Sequence, residues 1–175
     1  MDLIYYYLPA LETIRDFMEL GGNVLFVIGF LVLFMWMLIV ERLLYLRTGH
    51  KRLAANAQQL WEARSDHKSW SAHQIRTRLI SQVSSQAERN IPLIQTCVAL
   101  CPLLGLLGTV TGMVEVFEVM AISGSGNPRS MAGGVSKATI PTMAGMVAAL
   151  SGVAMATYLQ RKAARERELL ADHLV

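Results

Sequence analysis

Three apolar runs without a single ionisable side chain constrain this chain more than any other feature of its sequence. The runs cover 20–40, 93–114 and 138–160, and they contain no Asp, Glu, Lys, Arg or His. Each is at least as long as the roughly 20 residues that an α-helix needs to cross the hydrocarbon core of a bilayer. The sequence therefore predicts an all-α membrane protein with three transmembrane helices. If such a protein moves ions, a partner has to supply the usual buried carboxylate.

The basic residues near the runs predict how the chain is oriented. One lies before the first run, nine lie in 41–92, two lie in 115–137 and four lie in the tail after residue 160. Because Lys and Arg concentrate in the inside loops of membrane proteins, the N-terminus is expected outside and the C-terminus inside. The net charge of +3 is therefore a signal of topology. Nucleic-acid binding is the weaker interpretation, because no motif supports it.

These boundaries divide the chain into seven predicted segments. They are an amphipathic segment at 1–20, a transmembrane helix at 21–44, an inside helical domain at 45–91, a transmembrane helix at 92–120, an outside loop at 121–135, a transmembrane helix at 136–160 and an inside tail at 161–175. The Gly21-Gly22 pair is expected to break the first segment from the span.

The inside domain is predicted to be a helical hairpin with a polar break at 65–71. Its first helix is marked by Leu53, Leu60 and Trp61 at helical spacing, and its second helix is expected to run directly into the second span. A hairpin of this size has a thin core, so we expect it to pack against neighbouring copies.

Small residues distinguish the second and third runs from the bulky first run. In lipid, small residues let helix backbones approach closely, and packing drives association there. We therefore expect the second and third spans to form a tight inner layer. The predicted helix-packing residues are Gly105, Gly108, Gly112, Gly145, Ala149 and Gly152.

Two threonines fall in this inner layer. Thr109 shares a helix face with Gly105 and Gly112, and Thr142 lies one turn before Gly145. A threonine in lipid usually bonds a carbonyl of its own helix, which is a purely structural role. The alternative is that a threonine on each of two tightly packed helices lines a narrow, wet channel in an oligomer. Spacing alone leaves both interpretations open.

Three charges flank the inner layer. Glu115 and Glu118 end the second span, and Lys137 opens the third. The acidic pair is either solvated at the membrane interface or forms a pore mouth that attracts cations. Lys137 is expected to extend its ammonium group towards the surface.

Residues typical of enzyme or metal sites are sparse. The two cysteines, Cys97 and Cys101, are separated by one helical turn and are expected to be small buried fillers. The four histidines lie outside the runs and form no catalytic pattern. We therefore expect no enzymatic activity, no cofactor and no metal site.

Two longer motifs resemble a known family. The segments PLLGLLGTVTGM at 102–113 and GVSKATIPTMAGMVAAL at 134–150 are similar to the hallmark sequences of the MotA/TolQ/ExbB proton-channel family. The chain most resembles the ExbB branch, in a short form. The resemblance is specific, because both motifs occur in the right order and in the right predicted spans.

This resemblance implies a motor subunit of the bacterial inner membrane, with a periplasmic N-terminus and a cytoplasmic C-terminus. Family members form a homopentamer around a dimer of ExbD-like single-span partners, whose transmembrane Asp takes and releases the proton. Such a complex uses the proton motive force to drive a TonB-like protein, which energises outer-membrane receptors for iron carriers, haem or vitamin B12. In the family, the threonines that match Thr109 and Thr142 line the channel.

One departure from the family concerns Lys137, where many ExbB-type proteins carry a glutamate. A role of that glutamate in proton handling is therefore not transferred to this chain. We expect Lys137 to pair instead with an acidic group of a neighbour or partner, with Glu115 and Glu118 as candidates.

Two other functions remain open from the sequence. One is a membrane scaffold that conducts nothing, and the other is a TolQ-like or flagellar-stator-like ion channel subunit. Stators usually carry a larger cytoplasmic domain than the one predicted here. Substituting valine for Thr142 separates a motor from a scaffold, since it removes a hydroxyl at nearly constant size.

Overall fold

The computed structural model describes residues 2–63, 69–123 and 128–173, and these ranges are built from helices. A π-helical turn at Tyr45–Gly49 joins the first two helices. The α-helices are α1 (Asp2–Leu44), α2 (His50–Glu62), α3 (Trp70–Glu88), α4 (Ile91–Ser123) and α5 (Pro128–His173). By length and composition, three stretches of the described residues are able to cross a membrane: Gly21–Gly49, Trp70–Ile122 and Ala132–Asp172. The predicted all-α class with three membrane-spanning helices is thereby confirmed.

Some sequence-based expectations fall outside the described residues. The polar break at 65–71 includes 64–68, and the outside loop at 121–135 includes 124–127, which are not described. Most of the amphipathic face predicted for 1–20 also lies outside the described part, since only the side chains of 17–19 are described within it. The last two residues of the tail do so as well.

Gly22 interrupts α1. Its backbone has φ 63° and ψ −164°, so the helix before it and the helix after it are separate pieces. A residue with a Cβ is strained at such a positive φ, whereas glycine adopts it readily. The interruption lies in the Gly21-Gly22 pair, where the sequence predicted a break.

Internal packing divides the chain into two compact units. The first, here called the glycine unit, comprises the chain up to Phe34 together with Cys97–Ser151. The second, here called the hairpin unit, comprises Met35–Thr96 together with Gly152–Val175. Each unit is described separately below.

The core of the hairpin unit is a cluster around Trp61, which is only 4% exposed. Ala72 and Val83 of α3 pack in this cluster, and so does Leu170 of α5. The thin hairpin of α2 and α3 is therefore completed by the last helix of its own chain, which the sequence analysis did not foresee. Leu60, another of the residues at helical spacing on α2, has a side chain that is 63% exposed.

The hairpin does not run directly into α4, contrary to expectation. α3 ends at Glu88, and Arg89 and Asn90 form a turn before α4 begins at Ile91. Asn90 has φ 68°, a left-handed conformation that asparagine tolerates better than most residues. Its side-chain amide donates a hydrogen bond of 3.0 Å to a carboxylate oxygen of Glu41, which fixes the turn against α1.

Arg42 is buried beside this turn, with only 3% of its surface exposed. Its Nη1 donates to the carbonyl oxygen of Gln86 at 2.9 Å, and its Nη2 lies 3.4 Å from Glu41. The guanidinium also stands 5.0 Å from the ring centroid of Tyr45, within the range of a cation–π contact. Arg42 therefore links the end of the apolar part of α1 to the end of α3.

Candidate functional site: the contact between α4 and α5

The backbones of α4 and α5 touch within the glycine unit. A Cβ built on Gly145 would stand 2.5 Å from the carbonyl oxygen of Cys101, and one built on Gly105 would stand 2.9 Å from the Cα of Thr142. Real Cβ atoms essentially never come within 3.0 Å of another heavy atom. The two helices approach this closely because neither position carries a side chain.

The contact continues along α4 towards its C-terminal end. Cβ atoms on Gly108 and Gly112 would stand 2.5 Å from Pro141 and 2.7 Å from Ala138. Glycines at 105, 108 and 112 recur at three and four residues, which places them on one helix face. Of the other two predicted packing residues, Ala149 is 8% exposed and Gly152 is buried.

Thr142 donates a hydrogen bond across this contact. Its Oγ1 lies 2.8 Å from the carbonyl oxygen of Gly105, a residue 37 positions away on the other helix. A carbonyl oxygen has two lone pairs, so it can accept this bond in addition to one from its own helix. The hydroxyl is thus fixed at the point where the two backbones meet.

Thr109 behaves differently. Its Oγ1 donates to the carbonyl of Leu106 at 2.7 Å, within its own helix. This is the local bonding that is typical of a threonine in a helix. Gly105 lies one turn before Thr109 on α4, so the two half-buried threonines belong to the same part of the contact. The structure therefore places Thr142 against Gly105, with Thr109 one turn further along α4, and of the two threonines only Thr142 bonds across the helices.

Lys137 pairs with Glu115 of its own chain. Its Nζ lies 3.8 Å from Oε2 of Glu115, and the two side chains are 46% and 66% exposed. Glu115 was one of the two predicted partners, although the acidic group was expected to come from a neighbour or partner. Glu118, the other candidate, is exposed three residues further along α4.

A small pocket of about 200 Å³ adjoins the ion pair. It is bounded by α1, α4 and α5 within the glycine unit. The lining residues are Gly21, Gly22, Asn23, Val24, Gly108, Thr111, Gly112, Glu115 and Lys137. Sequence reasoning missed Asn23, although a polar residue at the start of the first run, directly after two glycines, was a usable signal.

The two cysteines are buried as expected. Cys97 is 4% exposed and Cys101 is 0% exposed, and both are free thiols. The Sγ of Cys101 lies 3.3 Å from the carbonyl oxygen of Cys97. Their positions agree with a role as small apolar fillers.

Comparison with known proteins adds a family match. A sequence model of the MotA/TolQ/ExbB proton channel family matches residues 46–172. The protein named ExbB-like 3 of Synechocystis is 31% identical over 102 residues, which cover 54% of this chain and 49% of that protein. The protein named ExbB-like 1 of the same organism is 42% identical over 69 residues, covering 38% of this chain and 27% of that protein.

A third relative comes from another bacterium. The biopolymer transport protein exbB1 of Vibrio cholerae is 48% identical over 59 residues, which cover 33% of this chain and 26% of that protein. The matched part thus spans half or less of the length of each of these relatives. All of the residues named above at the contact between α4 and α5 lie inside the family match.

Proposed function

The chain belongs to the MotA/TolQ/ExbB proton channel family, and from this premise we propose that it is the inner-membrane motor subunit of a TonB-ExbB-ExbD-type system. In this role it couples the proton motive force to the energising of outer-membrane receptors that import iron carriers, haem or vitamin B12. The N-terminus lies in the periplasm and the C-terminus in the cytoplasm, as the distribution of basic residues favours.

The proposed assembly is a homopentamer around a dimer of an ExbD-like partner with a single span. The partner's transmembrane Asp carries the proton, and a TonB-like protein receives the mechanical output. This division of labour is supported by the sequence, because the apolar runs 93–114 and 138–160 contain no ionisable side chain. A chain of this kind can line a proton path but needs a carboxylate from elsewhere.

The observation that carries the proposal is the hydroxyl of Thr142 at the backbone contact. An ionised or protonated carboxyl group in an apolar channel is costly unless it finds a hydrogen-bond partner. A threonine hydroxyl supplies both a donor and acceptor lone pairs without adding a competing charge. Thr142 can therefore accept a hydrogen bond from a partner's protonated carboxyl, and it can donate one to the ionised form after its hydroxyl releases Gly105.

The test is a pair of substitutions at position 142. Thr142→Val removes the hydroxyl at nearly constant size, whereas Thr142→Ser keeps it. We expect the valine variant to lose receptor-dependent uptake of an iron carrier and the serine variant to retain it. Loss of one interhelical hydrogen bond costs about 1 kcal/mol, which is too little to dismantle an oligomer.

Assembly has to be measured beside uptake. Native mass spectrometry of the complex, co-expressed with its single-span partner, should count five copies and two partners for both variants. Thr139→Val is the matched control, because Thr139 is exposed and bonds the carbonyl of Ser136 in its own helix. This control should transport normally. Normal uptake by Thr142→Val, or an oligomer that never retains an Asp-bearing partner, would favour the scaffold function instead.

A further inference from the structure

We propose that the pocket beside Lys137 and Glu115 is a water-filled access site for a small cation, such as hydronium or Na⁺. In this site Glu115 attracts the cation, and Lys137 sets the charge that the cation meets. The role in transport rests on the proposed function, whereas the hydration and the charge of the pocket do not depend on it.

The size and lining of the pocket favour water. A volume of about 200 Å³ is large enough for several water molecules, since a cavity of about 10–15 Å³ already holds one. Asn23, Thr111, Glu115 and Lys137 contribute an amide, a hydroxyl, a carboxylate and an ammonium group to its wall. Ordered waters need two to four polar partners each, and a wall of this composition supplies them.

The broken helix at Gly22 points the same way. Its non-helical backbone interrupts the hydrogen-bond ladder of α1 at the wall of the pocket. Gly22 lies at the outer end of the predicted span 21–44, where backbone groups without a helical partner need water or another polar group. The pocket borders this break, so water in it can hydrogen-bond to the backbone there.

The ion pair between Lys137 and Glu115 is open enough for water to reach both charged groups. The distance of 3.8 Å between Lys137 Nζ and Glu115 Oε2 exceeds that of a direct hydrogen bond, and both side chains are partly exposed. Pairs of this kind are weakly coupled and exchange readily with solvent. The Cε of Lys137 also lies 4.0 Å from the Cβ position of Gly22, so one side chain borders all three helices around the pocket.

Thiol labelling tests hydration and charge without any need for transport. Thr111→Cys places a thiol in the wall of the pocket, and methanethiosulfonate reagents of similar size are added to spheroplasts, one cationic and one anionic. We expect rapid reaction at this position. Val110→Cys is the matched control. Val110 is adjacent to Thr111 and exposed on α4, but it does not line the pocket. The unsubstituted chain gives the baseline, since Cys97 and Cys101 are buried.

Charge removal then assigns the two roles. In the Thr111→Cys background, Glu115→Gln should lower the ratio of cationic to anionic labelling rates by about three- to tenfold, because the ammonium of Lys137 remains alone. Lys137→Gln should raise that ratio by a similar factor. A thiol at position 111 that reacts no faster than one at position 110 would show a dry pocket and overturn the proposal. A ratio that neither substitution changes would overturn the assigned charges.

Removal of each charge tests the access role. Glu115→Gln should reduce uptake, because the cation loses the charge that attracts it, whereas Lys137→Gln should leave uptake unchanged or raise it. Thr142→Val distinguishes the pocket proposal from the proposed motor function. It should abolish uptake and leave labelling at position 111 unchanged. If labelling follows the expected pattern but uptake ignores both charge variants, the access role is overturned while the motor function stands.

Discussion

The internal packing of the glycine unit differs from that of the hairpin unit. In the glycine unit, α4 and α5 touch where side chains are missing, as at Gly105 and Gly145. In the hairpin unit, the core depends on large side chains, with Trp61 in the apolar cluster and Arg42 buried among polar partners. The first arrangement is therefore sensitive to added atoms and the second to removed atoms.

The difference follows from the surroundings for which the α4–α5 contact and the Trp61 cluster are suited. Between helices in lipid, burial of apolar surface gives no advantage over contact with the lipid tails, so close packing and hydrogen bonds have to stabilise the contact. The helices α2 and α3 carry apolar residues at helical spacing, which favours burial of one face away from water. A large aromatic side chain such as Trp61 contributes most to that kind of core.

The largest expected effect comes from adding a side chain in the glycine unit. Gly145→Val should prevent α4 and α5 from packing, because even a Cβ meets the backbone of Cys101 at 2.5 Å. Backbone cannot give way as a flexible side chain does, so the loss should exceed the roughly 1–3 kcal/mol of ordinary overpacking. The measurement is the yield of monodisperse protein in detergent. Gly133→Ala is the control, since a Cβ there has no neighbour within 4 Å, and a normal yield for both variants would contradict the contact.

The next effect comes from removing a side chain in the hairpin unit. Trp61→Ala should lower the free energy of unfolding by about 3–5 kcal/mol, since it empties the centre of the cluster with Val83 and Leu170. Thermal unfolding monitored by circular dichroism is the measurement. Trp70→Ala is the matched control, because that tryptophan is 78% exposed and should change little. Equal losses for the two variants would contradict the assignment of the core.

The smallest effect concerns the turn between α3 and α4. Asn90→Ala should cost about 1–2 kcal/mol, because alanine is strained at φ 68° and the hydrogen bond to Glu41 is lost. Asn90→Gly loses the same hydrogen bond but fits the backbone, so it should be less destabilised than the alanine variant. Comparison of the two melting temperatures separates strain from bonding. A glycine variant less stable than the alanine variant would show that the backbone conformation contributes nothing.

The sequence predicted what periodicity and composition can encode. The three apolar runs indicated the three membrane-spanning helices, and Gly21-Gly22 indicated the interruption of α1. The family resemblance drawn from the motifs at 102–113 and 134–150 is confirmed by the match over 46–172. These features are local, so neighbouring residues suffice to reveal them.

The sequence did not predict features that depend on distant partners. Leu170 lies in a charged tail, and nothing near it indicates that it completes a core with Trp61 of α2. Arg42 looks like an ordinary basic residue at the end of a span, yet its guanidinium is buried because Gln86 and Tyr45 surround it. The partner of Lys137 was narrowed to two glutamates, but the choice of Glu115 in the same chain required the three-dimensional arrangement.

The hydrogen bond from Thr142 to Gly105 also decides what the hydroxyl can offer to a third group. Its one proton is committed to the carbonyl oxygen at 2.8 Å, so only lone pairs face away from that bond. A neutral carboxylic acid can donate to those lone pairs, whereas a carboxylate, which only accepts, finds no donor there. To donate a hydrogen bond to a carboxylate, the hydroxyl has to rotate about its Cβ–Oγ bond and release Gly105. The orientation of the Thr142 hydroxyl therefore depends on whether an approaching carboxyl group is protonated or ionised.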